Sequence, residues 1–104
     1  MQKEKKKYLK QYLLQETKIN RIKRMLLLNP EKAELYKELI ESSVKLRDKI
    51  EEEIKSVDSD ILSELLYQKY IFGKTLEEIA LTLNYSKRHI ERLHIKALEN
   101  FKIK

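Results

Sequence analysis

The sequence predicts an all-α fold built from a few long helices, and three features of its composition lead to this prediction. Its 104 residues suffice for one domain, or for one small domain with an appendage. One Gly and one Pro are too few for the many tight turns of a β-sandwich or barrel. Charged residues make up 38% of the chain, against about 25% in a typical domain. Apolar residues, at 41%, are still enough for a core.

The composition also excludes several classes of protein. Without Cys there are no disulfides, no thiol catalysis and no cysteine-ligated zinc. The longest apolar run is residues 25–28 (MLLL), far short of the ~20 apolar residues of a membrane-spanning helix. The lysine-rich start resembles the first part of a signal peptide, but Lys10 and Gln11 interrupt the apolar stretch that a signal peptide needs after it. We therefore expect a cytoplasmic protein that does not act at a membrane.

The first two breaks in the helical pattern carry signals for helix ends. At Asn29-Pro30, Asn is a good N-cap and Pro suits the first helical position. One helix is therefore expected to end near Leu28 and the next to start at Pro30. Asp58-Ser59-Asp60 is a second cluster of capping residues.

Two further breaks lie in the C-terminal half. Gly73 suits the left-handed position after a helix, and residues 75–78 (TLEE) have the pattern of a capping box. Asn84 can adopt the left-handed conformation, and Ser86 can cap the helix after it. The predicted helices are 3–28, 30–56, 59–72, 76–83 and 87–102.

The first two predicted helices each carry an apolar stripe. The stripe residues are Tyr12, Ile19 and Leu26 in the first helix, and Tyr36, Leu39, Leu46, Ile50 and Ile54 in the second. Two helices of about 25 residues joined by almost no loop are expected to form an antiparallel hairpin over residues 1–57. The hairpin can be a structural or dimerising coiled coil, or the basic face of residues 3–24 can bind a partner. Its polar residues do not segregate cleanly enough for binding flat on a membrane.

Charge is unevenly distributed along the chain. Residues 1–24 carry nine Lys or Arg and two Glu, a net +7, and residues 86–104 carry six and two, a net +4. Because the whole chain has a net charge of +6, the residues between them are acidic. A basic terminal segment that is also an amphipathic helix concentrates cations on one exposed face, as in many proteins that bind nucleic acid.

Residues 58–104 have the steric pattern of a helix-turn-helix unit. Such a unit needs a small residue where the second helix crosses the first, and Ala80 supplies it. Its turn needs a residue that tolerates positive φ, and Asn84 stands four positions later. Ile90 and Leu93 then begin the inner face of helix 87–102. The outer face of that helix, which suits the major groove of DNA, carries Lys87, Arg88, His89, Glu91, Arg92 and Lys96.

Three stretches of this unit are similar to a known family. Residues 66–80 (LYQKYIFGKTLEEIA), 84–86 (NYS) and 93–98 (LHIKAL) resemble the DNA-binding region four of bacterial sigma factors. Within that group the chain looks most similar to the small phage-encoded transcriptional regulators of the ArpU/RinA type. It departs from the family pattern at two positions. Lys69 stands where Arg is usual, and Asn84 stands where Gly is usual.

The resemblance implies a regulator of transcription, of phage or mobile-element origin, that binds double-stranded DNA through helix 87–102. It leaves contact with RNA polymerase as an open possibility. The DNA-binding residues expected from it and from the outer face are Thr75, Tyr85, Ser86, Lys87, Arg88, His89, Glu91, Arg92 and Lys96.

We do not expect an enzyme, a metal site or a cofactor. His89 and His94 are five residues apart, which puts them on different faces of a helix and not at the spacing of metal ligands. His94 is expected to pack beside the inner face. Residues 51–53 (EEE) form a charge run that we expect to be a solvated face. One Gly cannot build a phosphate-cradling loop.

Three function classes remain after these exclusions. The first is a sequence-specific DNA-binding regulator of transcription. The second is an adaptor that uses the sigma-like unit and the hairpin to bind a transcription partner. The third is a structural coiled coil. Because a single helix-turn-helix reads only a few base pairs, we expect a homodimer that forms through the hairpin.

Overall fold

A computed structural model describes residues 2–104 and confirms the all-α prediction, because it contains no strand within that range. A 3₁₀ turn, Pro30–Lys32, leads into the second helix, and a π-helical turn, Tyr67–Ile71, continues the third. The five α-helices are α1 (Gln2–Leu28), α2 (Ala33–Lys55), α3 (Asp60–Leu66), α4 (Leu76–Leu83) and α5 (Lys87–Asn100).

The start signals of the last three helices are confirmed. The Ser59 hydroxyl accepts a hydrogen bond from the Leu62 N–H, and the Ser86 hydroxyl accepts one from the His89 N–H. Thr75 and Glu78 form a complete capping box at the start of α4. These bonds satisfy amide groups that have no partner within their own helix, and each helix therefore begins where its sequence predicts.

Three predicted helix bounds differ from the structure: α2 begins at Ala33 and not at Pro30, α3 gives way to the π-helical turn at Tyr67, and α5 ends before residue 102. Asn29 does not cap α2, because Pro30 opens a 3₁₀ turn and the Asn29 side chain instead donates to the Met25 carbonyl, 3.2 Å away. Asn29 therefore caps the C-terminal end of α1. Helix α5 ends at Asn100 and not at residue 102, because Phe101 turns to an extended backbone and its ring is fully buried. That ring packs against Tyr8, with the two ring centroids 6.1 Å apart.

Helices α1 and α2 lie antiparallel. Tyr8, near the start of α1, donates to Glu53 near the end of α2, and Glu16 pairs with Arg47 further along both helices. At 27 residues, α1 is about 40 Å long and extends past the C-terminal helices. Only its first half is covered by them, so the far half of the α1–α2 pair projects away from α5.

One apolar core joins the predicted segments 1–57 and 58–104. It includes Leu9 of α1, Ile50 and Ile54 of α2, and Leu98 of α5, all fully buried. Whether each segment folds alone stays a prediction, but in the folded chain they share this core.

A smaller core cluster holds α4 against α5. Its buried members are Leu65, Ile79, Ala80 and Ile90. Asn84 has φ 61°, the left-handed conformation that its sequence position predicts, and the Tyr85 N–H then donates to the Ala80 carbonyl, 2.9 Å away. This turn directs the chain back so that α5 can cross α4 at the small side chain of Ala80.

We predict that Ala80→Leu lowers the free energy of unfolding by about 1–3 kcal/mol, because a larger side chain overpacks this cluster. Thermal or urea denaturation followed by circular dichroism measures the change. Leu81→Ala is the matched control, since Leu81 is 84% exposed and its change should stay within about 0.5 kcal/mol. Equal stability of Ala80→Leu and the wild type would contradict a close crossing.

Candidate nucleic-acid interface

Helix α5 has one buried and one exposed face. Ile90, Ala97 and Leu98 are fully buried, and they fix the rotation of the helix about its axis. The opposite face carries all six of its predicted residues, Lys87, Arg88, His89, Glu91, Arg92 and Lys96, and every one is exposed. Because the inner positions are anchored, these side chains can only point to solvent.

Three cations form a ladder along the exposed face. Arg88, Arg92 and Lys96 are four residues apart, which places them on successive turns about 6 Å apart along the axis. Within residues 2–104, none of the three has a carboxylate oxygen within 4.0 Å. The ladder is therefore a charged surface without an internal partner.

The first turn of α5 is held by its cap and by an aromatic contact. Ser86 uses its hydroxyl oxygen to cap the helix and keeps its O–H free to donate. The Tyr85 and His89 rings meet edge to face, with centroids 4.8 Å apart, and both side chains are exposed. This contact orders the polar groups of the N-terminal turn of α5, which in a recognition helix is the part that enters a groove first.

Lys87 differs from the other predicted cations because it has a partner. Its Nζ lies 3.2 Å from a carboxylate oxygen of Glu77 on α4, and both side chains are more than half exposed. A pair this exposed contributes at most about 1 kcal/mol, so a bound anion could compete for Lys87. The pair also shows that the starts of α4 and α5 are neighbours.

Thr75 has a capping role in the structure. Its hydroxyl accepts from the Glu78 N–H at 3.2 Å, and its own N–H donates to the Glu78 carboxylate at 2.9 Å. The backbone and hydroxyl hydrogen bonds from Thr75 hold the pKa of Glu78 below its ordinary value. Thr75 stands two residues before Glu77, the ion-pair partner of Lys87 in the first turn of α5.

His94 is buried on the inner side of α5, as predicted, and it does not belong to the exposed face. Its Nε2 lies 2.7 Å from the Tyr70 hydroxyl. Burial, together with the charges of Lys69 and Lys6, lowers the pKa of His94 to about 4. Burial also raises the pKa of Tyr70 to about 12. Both groups are therefore neutral at neutral pH, and they form a buried polar contact between α5 and the π-helical turn.

The prediction that residues 51–53 form a solvated face is wrong for Glu53, which is 3% exposed. Its carboxylate accepts hydrogen bonds from Tyr8, from Lys49 at 3.0 Å and from the Lys104 N–H. Burial raises the pKa of Glu53, but these bonds outweigh it and leave that pKa below its ordinary value. Sequence reasoning missed this residue because two of its three partners come from distant parts of the chain.

Among residues 2–104, no group of three or more His, Cys, Asp or Glu side chains could hold a metal ion. None of the helices in that range has the length and apolar character needed to cross a membrane.

Comparisons of the chain with protein-family models, curated proteins and solved structures found no match. The resemblance to sigma-factor region four therefore rests on the sequence motifs alone and stays a prediction. The exposed basic face of α5 and its packing on α4 are observed independently of that resemblance.

We predict that the neutral state of His94 makes stability depend on pH. Between pH 6.5 and about 4 the unfolded chain binds a proton at this residue and the folded chain does not. The free energy of unfolding should therefore fall as the pH falls through this window, by at most about 1.4 kcal/mol per pH unit from this group. Urea denaturation at several pH values measures it.

Two variants isolate this contribution. His94→Gln should have a shallower loss of stability between pH 6.5 and about 4 than the wild type. His89→Gln is the matched control, since His89 is exposed on the same helix, and it should keep the steeper loss. Identical pH profiles for the wild type and His94→Gln would show that burial does not exclude the proton.

Proposed function

We propose that the protein is a sequence-specific DNA-binding regulator of transcription that reads the major groove with α5. The observation that carries this proposal is the unpaired cationic ladder of Arg88, Arg92 and Lys96 on a helix whose other face is locked into the core. A helix fits the major groove, and its N-terminal turns reach base edges first. The resemblance to sigma-factor region four supports the same function, an origin in a phage or mobile element, and action in the cytoplasm.

Each residue has a role in this proposal that follows from its position. Arg88 and Arg92 stand in the first two turns of α5, and a guanidinium group can donate two hydrogen bonds to one guanine. Lys96 lies further along, where a single ammonium group suits a backbone phosphate. The residues at the two helix starts, which include Thr75, Tyr85 and Ser86, would lie beside the DNA backbone.

We predict that Arg88→Ala or Arg92→Ala costs about 1–3 kcal/mol of binding free energy on the preferred site and relaxes preference at one base pair. Lys96→Ala should instead weaken binding to all sequences alike. It should also lessen the slope of log affinity against log salt by about one unit. Selection of bound duplexes from a random pool, followed by fluorescence anisotropy titrations, measures both effects.

Lys45→Ala is the control for these variants. Lys45 is exposed on α2 and is not on the face of α5, so its loss should leave site preference and salt slope near the wild-type values. If the wild-type affinity is insensitive to salt and no sequence is enriched, DNA is not the ligand. The adaptor function, with a protein partner of the transcription apparatus such as RNA polymerase, would then be favoured.

We also propose that the protein acts as a homodimer formed through the far half of the hairpin. A groove of about 470 Å³ lies there, lined by Ile22, Met25, Tyr36 and Leu39 among others. On the same helix α1, Leu14 and Leu27 are 46% and 83% exposed. A second copy would cover these apolar groups.

We predict that light scattering at tens of micromolar protein gives about twice the chain mass of 12.6 kDa. Leu39→Lys places a charge in the groove and should yield a monomer, because an unpaired charge is costly to bury in an interface. Leu81→Lys is the control and should remain a dimer, because Leu81 is exposed on α4, away from the hairpin. A monomer mass for the wild type, with and without DNA, would refute this assembly.

A further inference from the structure

A second basic surface lies between α1 and the segment that joins α3 to α4. It is a cleft of about 250 Å³ whose walls include Lys10 of α1, Lys69 of the π-helical turn and Lys74 of the following loop. Leu13 and Tyr70 contribute apolar walls, and the Lys69 Nζ lies over the Tyr70 ring at 5.7 Å from its centroid. We call this feature the lysine cleft.

The lysine cleft is built by the turn at Gly73. Gly73 has φ 71°, and a Cβ atom there would lie 3.4 Å from a methyl carbon of Leu13, so α1 runs close against the turn. The Lys74 N–H donates to the Gln68 carbonyl, 3.0 Å away, which folds the loop back on the π-helical turn. The folded loop and the close packing of α1 against it bring Lys10, Lys69 and Lys74 together.

The cations of the lysine cleft form no close ion pair with another described residue. Within the part of the chain that the structure describes, no carboxylate oxygen lies within 4.0 Å of Lys10, Lys69 or Lys74, whereas Lys45, Lys49, Lys55 and Lys87 each have at least one. Burial and repulsion from Lys10 and Lys6 lower the pKa of Lys69, and the negative charge of Glu77 offsets only part of this effect. Like charges gathered in one cleft destabilise one another, and a bound anion would relieve that repulsion.

The lysine cleft lies on the side of the molecule where α5 begins. Thr75 stands at its edge, and Glu77, two residues later, pairs with Lys87 in the first turn of α5. The cleft and the start of the proposed recognition helix are thus separated by the first turn of α4. A nucleic acid bound at the start of α5 would therefore lie near these lysines.

We propose that the lysine cleft binds a backbone phosphate of the DNA whose bases α5 reads, so that the hairpin contributes to DNA binding through Lys10. This inference rests on the proposed function. Ammonium groups recognise a phosphodiester as a point charge and give affinity without sequence preference. The cleft therefore fixes the position of α5 on the duplex and adds to the salt dependence of binding.

The test is a comparison of salt slopes on one mixed-sequence duplex, measured by fluorescence anisotropy. Loss of one phosphate contact lessens the slope by about 0.9. The double variant Lys10→Gln/Lys69→Gln should show that change, and Lys45→Gln/Lys102→Gln is the control that removes the same charge from exposed positions elsewhere. Thermal denaturation checks that each variant is folded, and Lys10→Arg, which keeps the charge, should retain the wild-type slope.

A neutral methylphosphonate at single positions of the selected duplex locates the contact. One such position outside the bases read by α5 should weaken the wild type and have no effect on the Lys10→Gln/Lys69→Gln variant. If the cleft variant behaves like its control while Arg88→Ala still changes site preference, the lysine cleft inference is wrong and the proposed function stands. If the wild type binds no duplex, the proposed function itself fails.

Discussion

The packing of α1 against the C-terminal half of α5 is the contact on which the arrangement of the chain depends. Leu9, Leu98 and Phe101 are fully buried in one cluster. Lys5 donates to the Leu98 carbonyl at 2.8 Å, one of the carbonyls that a helix end leaves without an internal partner. Apolar burial and helix capping therefore act at the same place. They fix the exposed face of α5 relative to the lysines of α1.

Several features set by neighbouring residues were predictable from the sequence. The capping box at Thr75, the left-handed Asn84 and the exposed side of α5 each depend on residues within one or two turns, and the structure agrees. Features set by distant residues were not predictable. Glu53 belongs to a charge run that suggests a solvated face until Tyr8 and the C-terminal backbone are placed around it. Likewise, no spacing in the sequence indicates that Lys10 and Lys69 share a cleft.

The acidic residues have a part in leaving the basic surfaces free. Glu16 of α1 pairs with Arg47 of α2, and Glu53 of α2 pairs with Lys49 on its own helix and accepts a hydrogen bond from Tyr8 of α1. These two carboxylates thus help to hold α1 to α2. The ladder on α5 has no carboxylate within 4.0 Å in residues 2–104. A chain with only a moderate net charge can in this way keep a locally strong positive potential.

The π-helical turn Tyr67–Ile71 has a consequence for how this chain can change by mutation. A π turn accommodates one more residue than an α turn does, and one residue corresponds to a rotation of about 100°. Deletion of a single residue there would allow a regular helix and improve local hydrogen bonding. It would also rotate the α4–α5 pair relative to α3 and separate Tyr70 from His94. The locally less favourable turn is therefore the one that keeps the two halves of the molecule in register.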